Sequence, residues 1–212
     1  MDLEQKLKIL VNKLSTGNFD EVIFEATYLN KKHPKLEVFY NLLSLGYQGK
    51  GEYEKSIDLL ENALKKSKNN INFLNNLGLS YYKNKDYNPA EKYFQKVLEI
   101  KPNYINTLNN LAALYEEINH VEKSEDLLKK SIKINSEVIE TNYNLASLLQ
   151  SIGKFDEAKI YYKKILKLDE NFTKADRGIA MLEKYNSSND HIKTMEKKIK
   201  DKKLHKSNII DL

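Results

Sequence analysis

The chain contains no cysteine and no tryptophan. Without a thiol it can form no disulfide, zinc ribbon or iron–sulfur cluster, and no cysteine nucleophile can act. Proline (3) and glycine (7) are scarce, which argues against collagen-like, turn-rich all-β and low-complexity chains. No stretch approaches the roughly 18 apolar residues of a membrane span. The amino-terminal MDLEQKLKIL has two acids among its first four residues, unlike the basic start and apolar run of a secretory signal. A cytoplasmic protein is expected. Its 212 residues, 41% apolar and 31% charged, suffice for a core of its own, and the composition points to helices.

Arginine is nearly missing as well: Arg177 stands alone against 34 lysines, while asparagine reaches 24 residues. Lysine and asparagine both have A/T-rich codons, so we read this excess as the bias of an AT-rich, bacterial genome. The net charge of +5 then says little about nucleic acid, because a surface selected to read phosphates or bases draws on arginine too. The charge is also uneven. Residues 183–212 hold eight lysines against five acids, and the rest of the chain is close to neutral.

A period of 34 residues runs through the chain. Leu74, Leu77, Gly78, Tyr81, Ala90, Phe94 and Pro102 occupy positions 4, 7, 8, 11, 20, 24 and 32 of a unit beginning at Ile71. This spacing resembles the tetratricopeptide repeat (TPR). Stepping by 34 without insertion gives five units, 3–36, 37–70, 71–104, 105–138 and 139–172. Each holds two amphipathic segments, with large and small apolar residues at helical spacing. Position 8 is small in four units: Ser44, Gly78, Ala112 and Ala146. The turn at position 15 is Gly17, Gly51, Asn119 or Gly153, residues that tolerate a left-handed helix stop, with Lys85 as the exception.

No such helix pair can bury its apolar face alone, so the pairs must stack in an all-α solenoid. A right-handed α–α superhelix is what the resemblance implies. After the fifth unit, Ala175, Ile179 and Leu182 suggest a capping helix over 173–185. A Lys-rich connector or tail follows at 186–212, with Ile192, Met195 and Ile199 on one face of a helix that reads as a solvated connector.

Catalysis finds no support. His33, His120, His191 and His205 are scattered, and there is no HExxH, nucleophile elbow or glycine-rich phosphate loop. No cofactor, metal or small-molecule substrate is expected.

The resemblance places the binding groove on the first helix of each unit, mainly at positions 2, 5, 6, 9, 12 and 13. These positions are rich in asparagine here: Asn72 and Asn106 at position 2, Asn41, Asn75 and Asn109 at position 5, and Asn76, Asn110 and Asn144 at position 6. A carboxamide both donates and accepts, so such a ladder can pair with the backbone of an extended peptide whatever its side chains. The ladder is similar to that in the repeats of O-linked N-acetylglucosamine transferases. Leu79, Tyr82 and Tyr143 would add apolar and stacking pockets, and Arg177 completes the candidate groove.

The chain departs from the carboxylate clamp of chaperone-binding relatives. Position 5 carries no lysine, and position 9 is Val11, Leu45, Leu79, Ala113 and Ser147 where the clamp needs asparagine. The expected partner is therefore a protein or extended peptide, with self-association left open. Two alternatives accompany this reading. Residues 175–212 are similar to the connector before a sulfotransferase domain in some bacterial proteins, which would make the chain the recognition part of a larger transferase. The Lys-rich tail would otherwise bind nucleic acid or an anionic surface.

Overall fold

The computed structural model describes residues 2–183 and 190–200. Among the described residues there are twelve helices and no strand. Lys184, Tyr185, the Asn- and Ser-rich 186–189, and residues 201–212, with His205, Ile209, Ile210 and Leu212, lie outside them.

The chain forms two compact units that divide between Asn110 and Leu111. The first contains α1 (Leu3–Ser15), α2 (Phe19–Lys32), α3 (Val38–Gly49), α4 (Tyr53–Leu64), α5 (Ile71–Lys83), α6 (Tyr87–Ile100) and the start of α7 (Ile105–Glu117). Each helix from α1 to α5 packs on the next. In addition α1 touches α3 and α3 touches α5, as stacked helix pairs require. The core includes Leu10, Val22, Phe39 and Leu43 at one end, then Leu60, Phe73 and Leu77. The second unit contains the rest of α7, then α8 (Val121–Ile134), α9 (Ile139–Ser151), α10 (Phe155–Leu168), α11 (Thr173–Leu182) and α12 (Asp190–Lys200). Its core joins Leu128, Leu145, Leu149, Tyr162, Ile165 and Ile179.

The turn inside each pair is built the same way five times. Gly17, Gly51, Lys85, Asn119 and Gly153 all have positive φ, between 61° and 79°. The residue after each donates its N–H to a carbonyl five residues back: Asn18 to Lys13, Glu52 to Tyr47, Asp86 to Tyr81, His120 to Tyr115 and Lys154 to Leu149. A second bond runs from the N–H of the positive-φ residue to the carbonyl three residues back. Together these two bonds make a Schellman helix stop. Lys85, which the sequence marks as an exception, therefore adopts the same conformation as the glycines (φ 66°). His120 acts in its turn through its backbone, which any residue could supply.

Small residues at position 8 have a visible cause at Gly78. A Cβ there would lie 2.7 Å from the ring of Phe94, which is fully buried. The missing methyl lets α6 bring a phenyl ring against α5, burying a side chain worth about 2 to 3 kcal/mol.

For residues 190–200 the structure differs from a solvated connector. Helix α12 buries Met195, and its Lys198 Nζ donates to Asp176 Oδ2 at 2.7 Å. His191 Nε2 lies 3.0 Å from Asp176 Oδ1. Asp176 is on α11 and has 0% exposure, so a buried carboxylate holds α12 on the capping helix.

Candidate functional site

In the first unit the first helices of successive pairs bring their asparagines into a row. Asn76 Nδ2 on α5 donates to Asn41 Oδ1 on α3 at 3.2 Å. One pair further on, Asn110 Nδ2 on α7 donates to Asn75 Oδ1 on α5, also at 3.2 Å. Asn75 Nδ2 reaches Asn76 Oδ1 at 3.4 Å and closes the row. Beneath it, Gln48 Nε2 donates to Asn76 O at 2.9 Å and to Ser80 Oγ at 2.8 Å, and Ser80 Oγ lies 2.8 Å from Ser56 Oγ.

The asparagines do not all face the same way. Asn41, Asn76 and Asn110 are half-buried, and Asn72 and Asn106 are exposed. Asn75 and Asn109 retain only 7% and 3% exposure. Asn75 Oδ1 also accepts from the buried Thr107 hydroxyl at 2.7 Å, so its carboxamide ties α5 to α7 and does not face a ligand. Asn72 accepts from Tyr104 Oη at 3.2 Å. Leu79 and Tyr82 are half-buried, with the Tyr82 ring 6.3 Å from Tyr87.

The second unit contains a cleft of about 400 Å³ between α9, α10 and α11. Tyr143 and Arg177, both named from sequence, line it; Asn144 is half-buried on α9. The Tyr143 ring sits 6.1 Å from Tyr162 and 5.6 Å from Phe172. Gly178 makes the floor, because a Cβ there would lie 2.5 Å from the Tyr162 ring. Tyr162 Oη donates to Gln150 Oε1 at 2.8 Å, and Gln150 Nε2 lies 3.8 Å from Met181 Sδ. Burial, with Tyr143 beside it, pushes the Tyr162 phenol up to about 12, so it is a neutral donor at ordinary pH.

Ser147, Gln150, Ser151, Tyr162, Lys174 and Met181 complete this cleft and were missed as site residues. Their signal is the repeat itself. Carrying the period of 34 into a sixth window from residue 173 puts Lys174 at position 2 and Arg177 at position 5, facing positions 5, 9 and 12 of the fifth.

No group of three or more His, Cys, Asp or Glu suited to a metal occurs among the described residues, and no helix there is long and apolar enough to cross a membrane.

Helix pairs joined by identical turns, with first helices sharing a polar face, define an all-α repeat protein of the superhelical solenoid class. Residues 47–85, 71–104, 93–126 and 139–172 match the tetratricopeptide repeat, together more than half of the sequence, and the chain belongs to that family. The fold is that of a protein-interaction repeat module. No curated protein matches the sequence.

Solved structures agree on the fold. A thermophilic TPR protein of Thermus thermophilus, TTC0263, superimposes with a TM-score of 0.76 at 16% identity, over 84% of this chain and 97% of its own. MamA gives 0.62 at 22% identity over 75% and 98%, and Pseudomonas aeruginosa pilF gives 0.68 at 17% over 84% and 82%. The family matches end at residue 172, so the sulfotransferase-like reading of the following segment gains nothing from them.

Proposed function

We propose that this chain is a non-catalytic recognition module that binds an extended segment of a partner protein along the face of its first helices. The observation that carries the reading is the carboxamide row. Asn76 and Asn110 hold equivalent places one repeat apart, and each uses one N–H in the row. By valence each amide keeps a second N–H, and half-burial leaves it within reach of a passing backbone carbonyl. Leu79 and Tyr82, one helical turn and more along α5, offer apolar contact to alternate side chains. Asn144, half-buried on α9, is the position-6 carboxamide of the second unit. Asn75 and Asn109 support the face from beneath.

The test is capture of partners from lysate by the wild-type chain and by an Asn76→Ala, Asn110→Ala, Asn144→Ala variant whose helix content is checked by circular dichroism. Loss of specific partners with helix content intact supports the groove. An unchanged set of partners removes it.

A further inference from the structure

In the first unit the turn from α2 to α3 lies against the turn from α4 to α5. Glu37 joins them: its Oε1 accepts from Ser67 Oγ at 2.6 Å and its Oε2 from Asn70 Nδ2 at 2.7 Å. Beside this brace is a pocket of about 430 Å³, a size that takes a small ligand or an anchoring side chain. Its apolar wall is Pro34, Tyr40, Ala63 and Phe73, with the Tyr40 and Phe73 rings edge to face at 5.9 Å. Lys35 and Lys66, both exposed, line it as well, and none of the asparagines of the carboxamide row does.

The charge around this pocket is one-sided. Residues 30–37 and 64–71 hold six lysines and one acid, whereas the same repeat positions at 98–105, 132–139 and 166–173 together hold three lysines and four acids. A codon bias toward lysine raises all positions alike and does not produce this contrast. The one acid is Glu37, and both of its oxygens already accept from neutral donors. Lys32 Nζ sits 4.5 Å over the Tyr28 ring and Lys65 Nζ donates to Asn62 Oδ1 at 2.7 Å, so these partners are neutral too. Among the described residues no carboxylate forms an ion pair with any of the six. Like charges gathered in this way raise a positive potential that a partner of opposite charge relieves.

We infer that this pocket docks an acidic segment of a partner protein, with an apolar side chain seated against Tyr40, Ala63 and Phe73 and its acidic neighbours on Lys35 and Lys66. Charge complementarity and the apolar wall together select this occupant. A nucleic-acid strand would also meet the lysines, but base stacking needs an open aromatic face. Phe73 is 1% exposed, and the half-buried Tyr40 packs edge-on to it. The Glu37 bonds hold the two turns together, so the pocket is set before the segment arrives and little is lost in ordering it. This docking goes beyond the carboxamide row and does not depend on it, because the two share no residue.

The test is fluorescence anisotropy with a labelled decapeptide of alternating Glu and Ser around one central Leu. Its controls are the same peptide with Ser for Leu, the same peptide with Gln for Glu, and an oligothymidylate of equal length. Each is titrated with the full chain, with a Lys35→Gln, Lys66→Gln variant and with the triple Asn→Ala variant. A Lys92→Gln, Lys163→Gln variant removes the same charge from exposed sites on α6 and α10. The expected result is binding of the Glu and Leu peptide that weakens about fivefold or more in Lys35→Gln, Lys66→Gln and about tenfold or more when its Leu becomes Ser. The Gln peptide should bind as weakly, and the other two variants should bind like wild type. Equal binding of the Leu and Ser peptides overturns the inference, since charge alone then accounts for it. Oligothymidylate held as tightly through Lys35 and Lys66 overturns it in favour of a phosphate backbone. Loss confined to the triple Asn→Ala variant moves the peptide to the groove and overturns the pocket. Absence of any bound peptide overturns the pocket and leaves the carboxamide row to its own test.

Discussion

Asn76 donates its side-chain N–H to Asn41, 35 residues earlier, at 3.2 Å. The same relationship joins Asn110 to Asn75. In both, position 6 of one repeat reaches position 5 of the repeat before it, so the same carboxamide bond recurs at both seams between these first helices. The row is at once a stacking device and a polar surface. Its members differ in how much of each role they carry.

Asn75 is the structural member. It accepts from Thr107, which is fully buried, and from Asn110. Replacing it with alanine leaves the Thr107 hydroxyl without that partner and should cost about 1 to 3 kcal/mol, whereas Asn110→Ala removes a half-exposed donor and should cost less than about 1 kcal/mol. Urea unfolding of the two variants measures the difference. Equal losses would mean that Asn75 is not the node of the row.

Lys85 adopts φ 66° at a turn position that is glycine in three of the other four repeats. A left-handed conformation costs an L-residue roughly 1 to 2 kcal/mol, while glycine loses about 0.4 to 1 kcal/mol through the greater freedom of its unfolded chain. Lys85→Gly should therefore raise stability by up to about 1.5 kcal/mol, with Gly51→Ala moving in the opposite direction. Thermal melts of both variants test the pair of signs. A destabilised Lys85→Gly would show that the lysine side chain contributes contacts that outweigh the strain.

The repeat was legible because it rests on local chemistry repeated at fixed spacing. Gly78, Gly17 and Gly153 report close approach and positive φ directly, and the asparagines at positions 5 and 6 mark one helix face. Which asparagine points outward was not legible. Asn75 and Asn76 are adjacent in sequence and identical in chemistry, yet only the structure separates the buried one from the half-exposed one. Lys85 stands apart in sequence because propensity is a weak preference, which a repeated turn geometry overrides. The docking of α12 was hidden for another reason. Its lysines read as a solvated face, and the partner that makes Lys198 a packing residue is Asp176, 22 positions earlier on another helix.

That carboxylate gives a prediction for α12. Asp176 receives Lys198 at 2.7 Å and His191 at 3.0 Å, and α12 buries little else besides Met195. Asp176→Ala would remove the carboxylate that holds the Lys198 ammonium and the His191 ring, and the easiest relief is for α12 to open. Amide exchange across 190–200 should accelerate about tenfold or more while protection in α9 and α10 changes little. Lys197→Ala should leave exchange as it is. Uniform acceleration across the second unit would show instead that Asp176 supports the whole stack.

The cleft floor should make stability depend on alkaline pH. Burial raises the Tyr162 phenol from 10.0 to about 12, so between those values the folded chain keeps a proton that the unfolded chain gives up. Stability from this group is complete below pH 10 and is lost as pH rises through 12, because unfolding then releases the proton. Tyr81 adds to the same decline, its phenol raised by burial and by the Glu61 carboxylate to which it donates at 2.6 Å. Tyr162→Phe removes the hydrogen bond to Gln150 and should cost about 1 kcal/mol at neutral pH. In exchange its stability should fall less steeply above pH 10, and the curves of variant and wild type should converge. Denaturant unfolding measured from pH 7 to pH 12 decides the matter: parallel curves would mean that the Tyr162 phenol meets solvent freely and that the cleft floor is open.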